Sequence, residues 1–276
     1  MKKILFPTDF SEVSKNAFIY ALKLAESVNA EIVTIHVYQF LQANYVNVSE
    51  YLHEIYEVTE LSNFENYKDE VPLLRKIAEA NNLGHIKISH VLILGNLVPE
   101  IKKITENENF DFVVMGTKGA TSIKETFFGT TATKVMNDVK ALVLAIPAHC
   151  TYHPIEKILF ITQYKLEDTG SFVRVLSLSK IFQSHIDCLR AASPHHEVKE
   201  DSREDWKVLV ENNEVTFHSI KGEDVEGIIL NFIDLYKINL IAMHVYHRNL
   251  FEKLFKISLS KKLAFHINVP ILAIHE

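Results

Sequence analysis

Short apolar runs alternate with stretches of helical periodicity through the first half of the chain. The runs are typical of buried strands and lie at residues 3–6, 31–38, 86–94, 112–115 and 142–146. Apolar residues spaced by three and four predict helices between them, around residues 13–28, 73–78, 98–104 and 132–139. The Ser11 hydroxyl is positioned to cap the first helix. Because strands that alternate with helices need crossover connections, this order predicts a parallel sheet covered on both faces.

The second half of the chain repeats this plan. Lys3–Phe6 is similar to Lys157–Phe160 at an offset of 154, and Phe112–Met115 is similar to Leu240–Met243 at an offset of 128. The run at 142–146 has its equivalent at 270–274, again at offset 128. The first copy therefore holds 26 more residues ahead of its fourth strand. We expect two tandem domains, at residues 1–150 and 151–276.

The extra segment of the first copy lies around residues 40–70. Apolar and β-branched residues recur there at helical spacing: Val48, Leu52, Ile55 and Thr59. A lid over a ligand and a partner-binding arm are both compatible with this pattern. A plain amphipathic helix packed on the sheet explains it as well, and is the interpretation we favour.

Composition and charge exclude several classes of protein. Apolar residues make up 47% of the 276 residues and charged ones 23%, which is typical of a globular protein and not of a disordered one. The formal net charge of −6 gives no general reason to bind nucleic acid or an anionic membrane. No apolar run approaches the roughly 18 residues of a membrane span. Because Cys150 and Cys188 are the only cysteines, we expect ordinary thiols in a cytoplasmic protein.

Three of the eight glycines fall within fourteen residues, at Gly116, Gly119 and Gly129. They follow a predicted strand and lead into a predicted helix. Such a connection suits a polyanion, because bare backbone can approach phosphate oxygens and a helix N-terminus offers unpaired N–H groups. The Thr130 and Thr131 hydroxyls could add donors. A long loop with glycines at its turns would produce the same spacing, so spacing alone leaves both interpretations open.

The glycine-rich segment resembles the nucleotide-binding signature of the universal stress protein family. That signature is Gly-x-x-Gly, nine residues, then Gly-(Ser/Thr), and Gly116, Gly119 and Gly129-Thr130 fit it without a mismatch. The opening Pro7–Ser11 is similar to the first loop of that family, and His36-Val37 to the end of its second strand. The resemblance covers the first copy and, more weakly, the second. It implies an α/β fold: two tandem Rossmann-like domains of the adenine nucleotide alpha hydrolase type, each with a five-stranded parallel sheet of order 3-2-1-4-5.

The resemblance also implies a site for ATP or another adenine nucleotide. Val37 would contact adenine, Pro7, Thr8 and Asp9 would line the adenine and ribose side, and Met115 and Gly116 would contact the ribose and first phosphate. Gly119, Gly129, Thr130, Thr131 and Ala132 would hold the remaining phosphates. Mg²⁺ or Mn²⁺ would neutralise the phosphate chain through phosphate and water ligands, because the segment has no carboxylate cluster. We assign no metal-ligating and no catalytic residue.

The second copy lacks these features. His244 and His247 stand where the first copy has Gly116 and Gly119, and Gln163 stands in place of Asp9. Imidazole rings obstruct a close approach of phosphate, so we predict that the second copy does not bind ATP in the family manner. His244 and His247 could form half of a metal site with His195, His196 or Asp168. We favour the simpler interpretation, that polar residues fill a crevice that no longer binds nucleotide.

The resemblance predicts an ATP-binding stress-response regulator or sensor. The rivals are a slow ATPase or phosphoryl or nucleotidyl transferase on the same fold, and a nucleotide-free scaffold. Lys118, Lys124 and Glu125 are the only ionisable residues within the signature, and no P-loop accompanies them, which favours binding over catalysis. In the family, fifth strands pair between domains, so we expect an internal pseudo-dimer, with a homodimer as a further assembly. The protein partner is left open, and no nucleic acid or membrane partner is expected.

Overall fold

The computed structural model describes residues 1–39, 49–117, 130–193, 203–210, 214–245 and 268–275. The strands in these ranges are β1 Lys2–Pro7, β2 Ala30–Tyr38, β3 Ile88–Leu94, β4 Phe112–Gly116, β5 Leu142–Ile146, β6 Lys157–Ile161, β7 His185–Ala192, β8 Val215–Lys221, β9 Leu240–His244 and β10 Ile271–Ile274. The helices are α1 Glu12–Val28, α2 Ser49–Ala80, α3 Leu97–Asn107, α4 Thr130–Asp138, α5 Thr169–Phe182, α6 Arg203–Val210 and α7 Val225–Tyr236.

All ten strands form one sheet, in the order β3-β2-β1-β4-β5-β10-β9-β6-β7-β8. Each half of the sheet is parallel and has the order 3-2-1-4-5, so the predicted fold class is confirmed. The two halves meet where β5 and β10 pair antiparallel, with Leu144 opposite Leu272. The fifth strands therefore have a neighbour on both sides, and neither leaves an open edge.

Helices cover both faces of the sheet, which is why the central strands are apolar at nearly every position. Successive side chains of a strand point to opposite faces, and in β1 they enter two different cores. Ile4 and Phe6 belong to the core on the side of α1, α2, α5 and α6, whereas Leu5 belongs to the core on the side of α3, α4 and α7. Within the described ranges, no helix is both long and apolar enough to cross a membrane.

Helix α1 begins and ends as its sequence predicts. The Ser11 hydroxyl accepts a hydrogen bond from the Ser14 amide at 3.2 Å, so the predicted N-cap is confirmed. Asn29 ends the helix in the left-handed conformation, with φ of 52°.

Helix α2 differs from the sequence prediction. Periodicity predicted separate helical segments around residues 48–59 and 73–78, but a single helix of 32 residues runs from Ser49 to Ala80. Residues 40–48 lie outside the described ranges. The predicted gap contains polar residues that favour a solvent-facing helix and no glycine that would end one. Even Pro72 lies within the helix, while Leu74 and Ala78 are fully buried against the sheet.

Candidate functional site

A crevice opens at the carboxyl end of the first half of the sheet, where β1 lies between β2 and β4. Pro7 pairs with Ile35 on one side, and Leu5 pairs with Val113 on the other. After β1 the chain enters α1 on one face, whereas the helix that follows β4 packs on the opposite face. Open α/β sheets bind ligands at such a switch point, because the two connections diverge and leave space between them.

The turn after β1 is fixed by the Thr8 side chain and backbone. The Thr8 amide donates to the Ile35 carbonyl at 2.9 Å, which extends the strand pairing by one residue. The Thr8 hydroxyl oxygen accepts from the Phe10 amide at 3.0 Å and from the Ser14 hydroxyl at 2.9 Å. Phe10 takes a left-handed conformation with φ of 58°. This turn directs Asp9 to the rim of the crevice, where it is exposed.

Asp9 is held by the start of the following helix. Its Oδ1 atom accepts from the Ser11 amide at 3.1 Å and from the Ser11 hydroxyl at 2.7 Å. The carboxylate thus has a defined orientation at the rim.

The end of β2 forms the next wall. Val37 is half-buried and packs with the core beneath α3 and α4. His36 points to the other face, where its Nδ1–H donates to the Thr8 carbonyl at 2.8 Å and its ring lies 5.2 Å from that of Phe10. Tyr67 of α2 stacks on the same imidazole at 6.2 Å. Sequence reasoning did not select Tyr67, because α2 approaches this strand only through the tertiary fold.

The end of β4 provides the third wall. Met115 is buried, and Gly116 continues the strand in register with Ile146. The Thr117 amide donates to the Ile146 carbonyl at 2.9 Å, so the extended backbone persists beyond the glycine. The backbone at Gly116 therefore does not adopt the left-handed conformation that favours glycine. Gly119 and Gly129 lie outside the described residues.

Helix α4 begins at Thr130, close to the end of the glycine-rich segment. Thr130 is exposed, Thr131 is half-buried, and Ala132 is buried in the core beside Val135. Because α4 connects two parallel strands, its first turn lies at the same end of the sheet as the crevice. The predicted site residues that the structure describes on β1, β2 and β4 therefore lie together at the carboxyl ends of adjacent strands. The first turn of α4 lies at the same end of the sheet.

The equivalent turn in the second half has the same backbone but different side chains. Tyr164 has φ of 56°, and its amide donates to the Thr162 hydroxyl at 2.8 Å, as Phe10 does to Thr8. Where the first half has Ser14, the second has Asp168, whose Oδ2 accepts from the Thr162 hydroxyl at 2.7 Å and from the Gln163 amide at 2.9 Å.

His244 fills the crevice of the second half. It ends β9 opposite Ile274, the register position that Gly116 has opposite Ile146. Its Nδ1 atom lies 3.8 Å from Oδ1 of Asp168, and both residues are buried. His247, His195 and His196, which complete the alternative metal hypothesis, lie outside the described residues.

A second imidazole lies beside this pair. The His275 Nε2–H donates to the Met136 carbonyl at 2.8 Å and so joins the end of β10 to α4. Burial lowers the pKa of His275, and the nearby His244 and Arg174 lower it further, against the opposing effect of the Met136 hydrogen bond. His275 is therefore neutral at pH 7, which suits its position between two packed elements.

A parallel sheet of order 3-2-1-4-5, with a crevice at its switch point, defines the Rossmann-like class of α/β proteins. The family model described as "Universal stress protein family" matches residues 1–147. The chain therefore belongs to the universal stress protein family.

Relatives and solved structures agree with this assignment. Two universal stress proteins of Methanocaldococcus jannaschii are 26% and 30% identical to the chain over 155 and 150 residues. Each match covers 52% of this chain, and 94% and 81% of the respective relative. The crystal structure of a universal stress protein from Archaeoglobus fulgidus DSM 4304 is 20% identical, with a TM-score of 0.72 over 99% of this chain and 96% of that one. At that identity the likeness establishes the fold of both halves and nothing further.

Proposed function

We propose that the first half of this universal stress protein binds ATP, or another adenine nucleotide, in the crevice between β1 and β4. One observation carries the proposal. Two segments that are more than 100 residues apart, Pro7–Asp9 and Met115-Gly116, end adjacent parallel strands at the switch point. The family resemblance independently implies that both segments contact one nucleotide.

The chemistry of the crevice fits the parts of a nucleotide. Val37 offers apolar surface for a base, and the oriented Asp9 carboxylate offers acceptors for ribose hydroxyls. At Gly116 the backbone is bare where the ribose and first phosphate are expected. The first turn of α4 offers backbone N–H groups and the Thr130 and Thr131 hydroxyls for the remaining phosphates. Mg²⁺ or Mn²⁺ would take phosphate and water oxygens, with no protein carboxylate needed.

We propose further that the two domains, residues 1–150 and 151–276, differ in this function. In the second, the buried His244 and Asp168 fill the space that a nucleotide would need beside β9. Pairing of β5 with β10 supports an internal pseudo-dimer in which one domain binds nucleotide. The chain then acts as a stress-responsive regulator or sensor, expected in the cytoplasm, whose occupancy reports the adenine nucleotide available to it.

Nucleotide binding is tested by thermal unfolding with and without Mg-ATP, together with isothermal titration calorimetry. We expect one ATP per chain, and a stabilisation of about 2.7 kcal/mol when ATP is 100-fold above its Kd. Gly116→Val should remove the shift, because valine fits an extended backbone but fills the crevice. Lys76→Glu, an exposed change on α2, is the matched control and should keep it.

The rival functions give different results in the same samples. A wild-type chain with no shift and no heat of binding would favour the nucleotide-free scaffold and contradict the proposal. Phosphate release at about 1 per second or faster would favour an enzyme. A stoichiometry of two would contradict the assignment of binding to the first domain alone.

A further inference from the structure

The segment that joins the two halves covers one side of their interface. Cys150 is buried, its carbonyl accepts from the Asn16 side-chain amide at 2.8 Å, and its thiol donates to the Asn268 carbonyl at 2.9 Å. The Tyr20 hydroxyl of α1 donates to the Thr151 carbonyl at 2.8 Å. The ring of Tyr152 packs edge-on against that of Tyr20, with centroids 5.1 Å apart. An extended segment with an aromatic side chain therefore lies along the groove beside α1, where an apolar cavity lined by Tyr20, Leu24 and Tyr152 remains.

The antiparallel pairing of β5 with β10 relates this groove to a second one by approximate twofold symmetry. Helix α5 takes the place of α1, and the start of β1 takes the place of the start of β6. The local hydrogen bonds repeat: the Lys3 amide donates to Asp111 Oδ2 at 2.9 Å, and the Lys157 amide donates to Asn239 Oδ1 at 2.8 Å. The two grooves thus share a backbone framework. The extended segment with Tyr152 beside α1 therefore indicates the shape of ligand that the groove beside α5 accepts.

No part of the chain that the structure describes covers the second groove, which we call the α5 groove. It has a volume of about 780 Å³ and is walled by α5, by the start of β1 and by the ends of α3 and α4. Val173 and Ile181 of α5 are 44% and 37% exposed along it, with the exposed Ser177 between them. Phe110 forms part of its floor. The groove therefore presents an apolar strip two helical turns long, the length of a short extended peptide.

Basic side chains surround this strip. Lys2, Lys140 and Arg174 line the α5 groove, and none of them makes an ion pair with another described residue. The single carboxylate among the lining residues, Asp111, already accepts the Lys3 amide. The chain as a whole is acidic, with a net charge of −6, so a groove with three cations stands apart from the average surface.

We propose that the α5 groove is a docking site for an extended, acidic segment of a partner protein. An aromatic or aliphatic side chain of that segment lies on Val173, Ile181 and Phe110, as Tyr152 lies beside α1. Aspartate or glutamate residues on either side of it pair with Lys2, Lys140 and Arg174. This inference does not depend on nucleotide binding, because the α5 groove lies at the amino ends of β1, β4 and β5 and the candidate nucleotide crevice at their carboxyl ends.

The test uses the full-length protein without nucleotide and a displayed library of random ten-residue peptides. We expect the enriched peptides to combine at least one aromatic or aliphatic residue with two or more carboxylates. Their affinity should fall about tenfold with Arg174→Glu and with Lys140→Glu, because each replaces an attraction by a repulsion. Ser177→Trp should reduce it by occlusion. Lys76→Glu, the same charge change far from the α5 groove, is the control and should leave affinity unchanged; circular dichroism melts verify folding, since all four positions are exposed.

Several results would overturn the proposal. Enriched peptides that are neutral or basic would contradict the charge argument, and acidic peptides that bind Arg174→Glu and Lys140→Glu as well as wild type would bind elsewhere. A library that yields no enriched peptide would contradict the proposed docking site. A concentration-dependent dimer that Arg174→Glu dissociates in analytical ultracentrifugation would assign the α5 groove to a second copy of the chain instead.

Discussion

The turns that follow β1 and β6 have one backbone and two chemistries. In both turns, a threonine hydroxyl accepts a hydrogen bond from the amide two residues later. That later residue is aromatic and left-handed, with φ of 58° at Phe10 and 56° at Tyr164. A left-handed aromatic residue is unfavourable by about 1 kcal/mol or more. Because both halves carry it, the strain belongs to the strand-to-helix turn and not to a ligand.

The side chains around these turns show where the halves diverge. Ser14 donates a neutral hydrogen bond to Thr8, whereas its counterpart Asp168 accepts three hydrogen bonds and lies beside His244. The buried Asp168 and His244 occupy volume in the second crevice, whereas Gly116 has no side chain at the equivalent register position of the first. The fold therefore requires the backbone of the turn, whereas the side chains that line the crevice can differ between the halves.

The helix that packs beside the first helix of each half differs as well, and gives the largest predicted effect. The first half uses the long α2, with Leu74 and Ala78 fully buried. The second uses the eight-residue α6, where Trp206 is fully buried and stacks on Phe172 with ring centroids 4.5 Å apart. The short helix thus depends on a single large side chain.

We expect Trp206→Ala to lower the free energy of unfolding by about 3–5 kcal/mol, through lost burial and a large cavity. Its indole N–H also loses its hydrogen bond to the Thr169 hydroxyl. Trp206 is the only tryptophan, so the variant has no tryptophan fluorescence, and unfolding in urea is followed by circular dichroism. Val208→Ala, at a residue 76% exposed on the same helix, is the control and should change stability by less than about 0.5 kcal/mol. A similarly small change for Trp206→Ala would show that α6 is not a required cover.

An exchange between the two crevices gives the next largest effect. We expect Gly116→His to weaken ATP binding at least 100-fold, or about 2.7 kcal/mol, because the imidazole would lie beside Thr8 and Ser14 as His244 lies beside Asp168. The fold should tolerate it, since His244 occupies the same register of β9. Titration calorimetry with Mg-ATP measures the loss.

The reciprocal variant is its control. His244→Gly should leave the affinity and the stoichiometry of ATP binding unchanged, because the first crevice is untouched. An ATP affinity that survives Gly116→His, or falls equally in His244→Gly, would refute the assignment of nucleotide binding to the first half.

Sequence periodicity predicted the strands of the first half and their parallel arrangement, because buried parallel strands are apolar throughout, whereas the strand order came from the family resemblance. It failed at α2, where a polar, solvent-facing stretch interrupts the apolar pattern without interrupting the helix. At the candidate site, the resemblance selected residues that follow strands in the sequence, such as Thr8 and Gly116. It could not select Tyr67, which is 31 positions after His36 in the sequence and contacts it only through the tertiary fold.

The smallest predicted change in stability distinguishes the groove beside α1, which the linking segment covers, from the open α5 groove. Tyr20→Phe removes the hydrogen bond to the Thr151 carbonyl and should lower the free energy of unfolding by about 1 kcal/mol at pH 7. Its symmetry equivalent Arg174 lines the open α5 groove, so Arg174→Ala should change stability by less than about 0.5 kcal/mol. An equal loss of unfolding free energy in Tyr20→Phe and Arg174→Ala would show that the α5 groove is already covered.

The pH dependence separates the Tyr20 hydroxyl from simple loss of packing. Burial, followed by the hydrogen bond with the Cys150 thiol, raises the pKa of Tyr20 well above its usual value of about 10. Its neutral form therefore stabilises the folded state fully below pH 10, and this contribution is lost as the pH rises, since unfolded chains release the proton first. The loss is about 1.4 kcal/mol per pH unit, so the advantage of wild type over Tyr20→Phe should vanish near pH 11. Urea unfolding at pH 7, 10 and 11 measures it; a difference that stays constant across this range would contradict a raised pKa of the Tyr20 hydroxyl in the folded state.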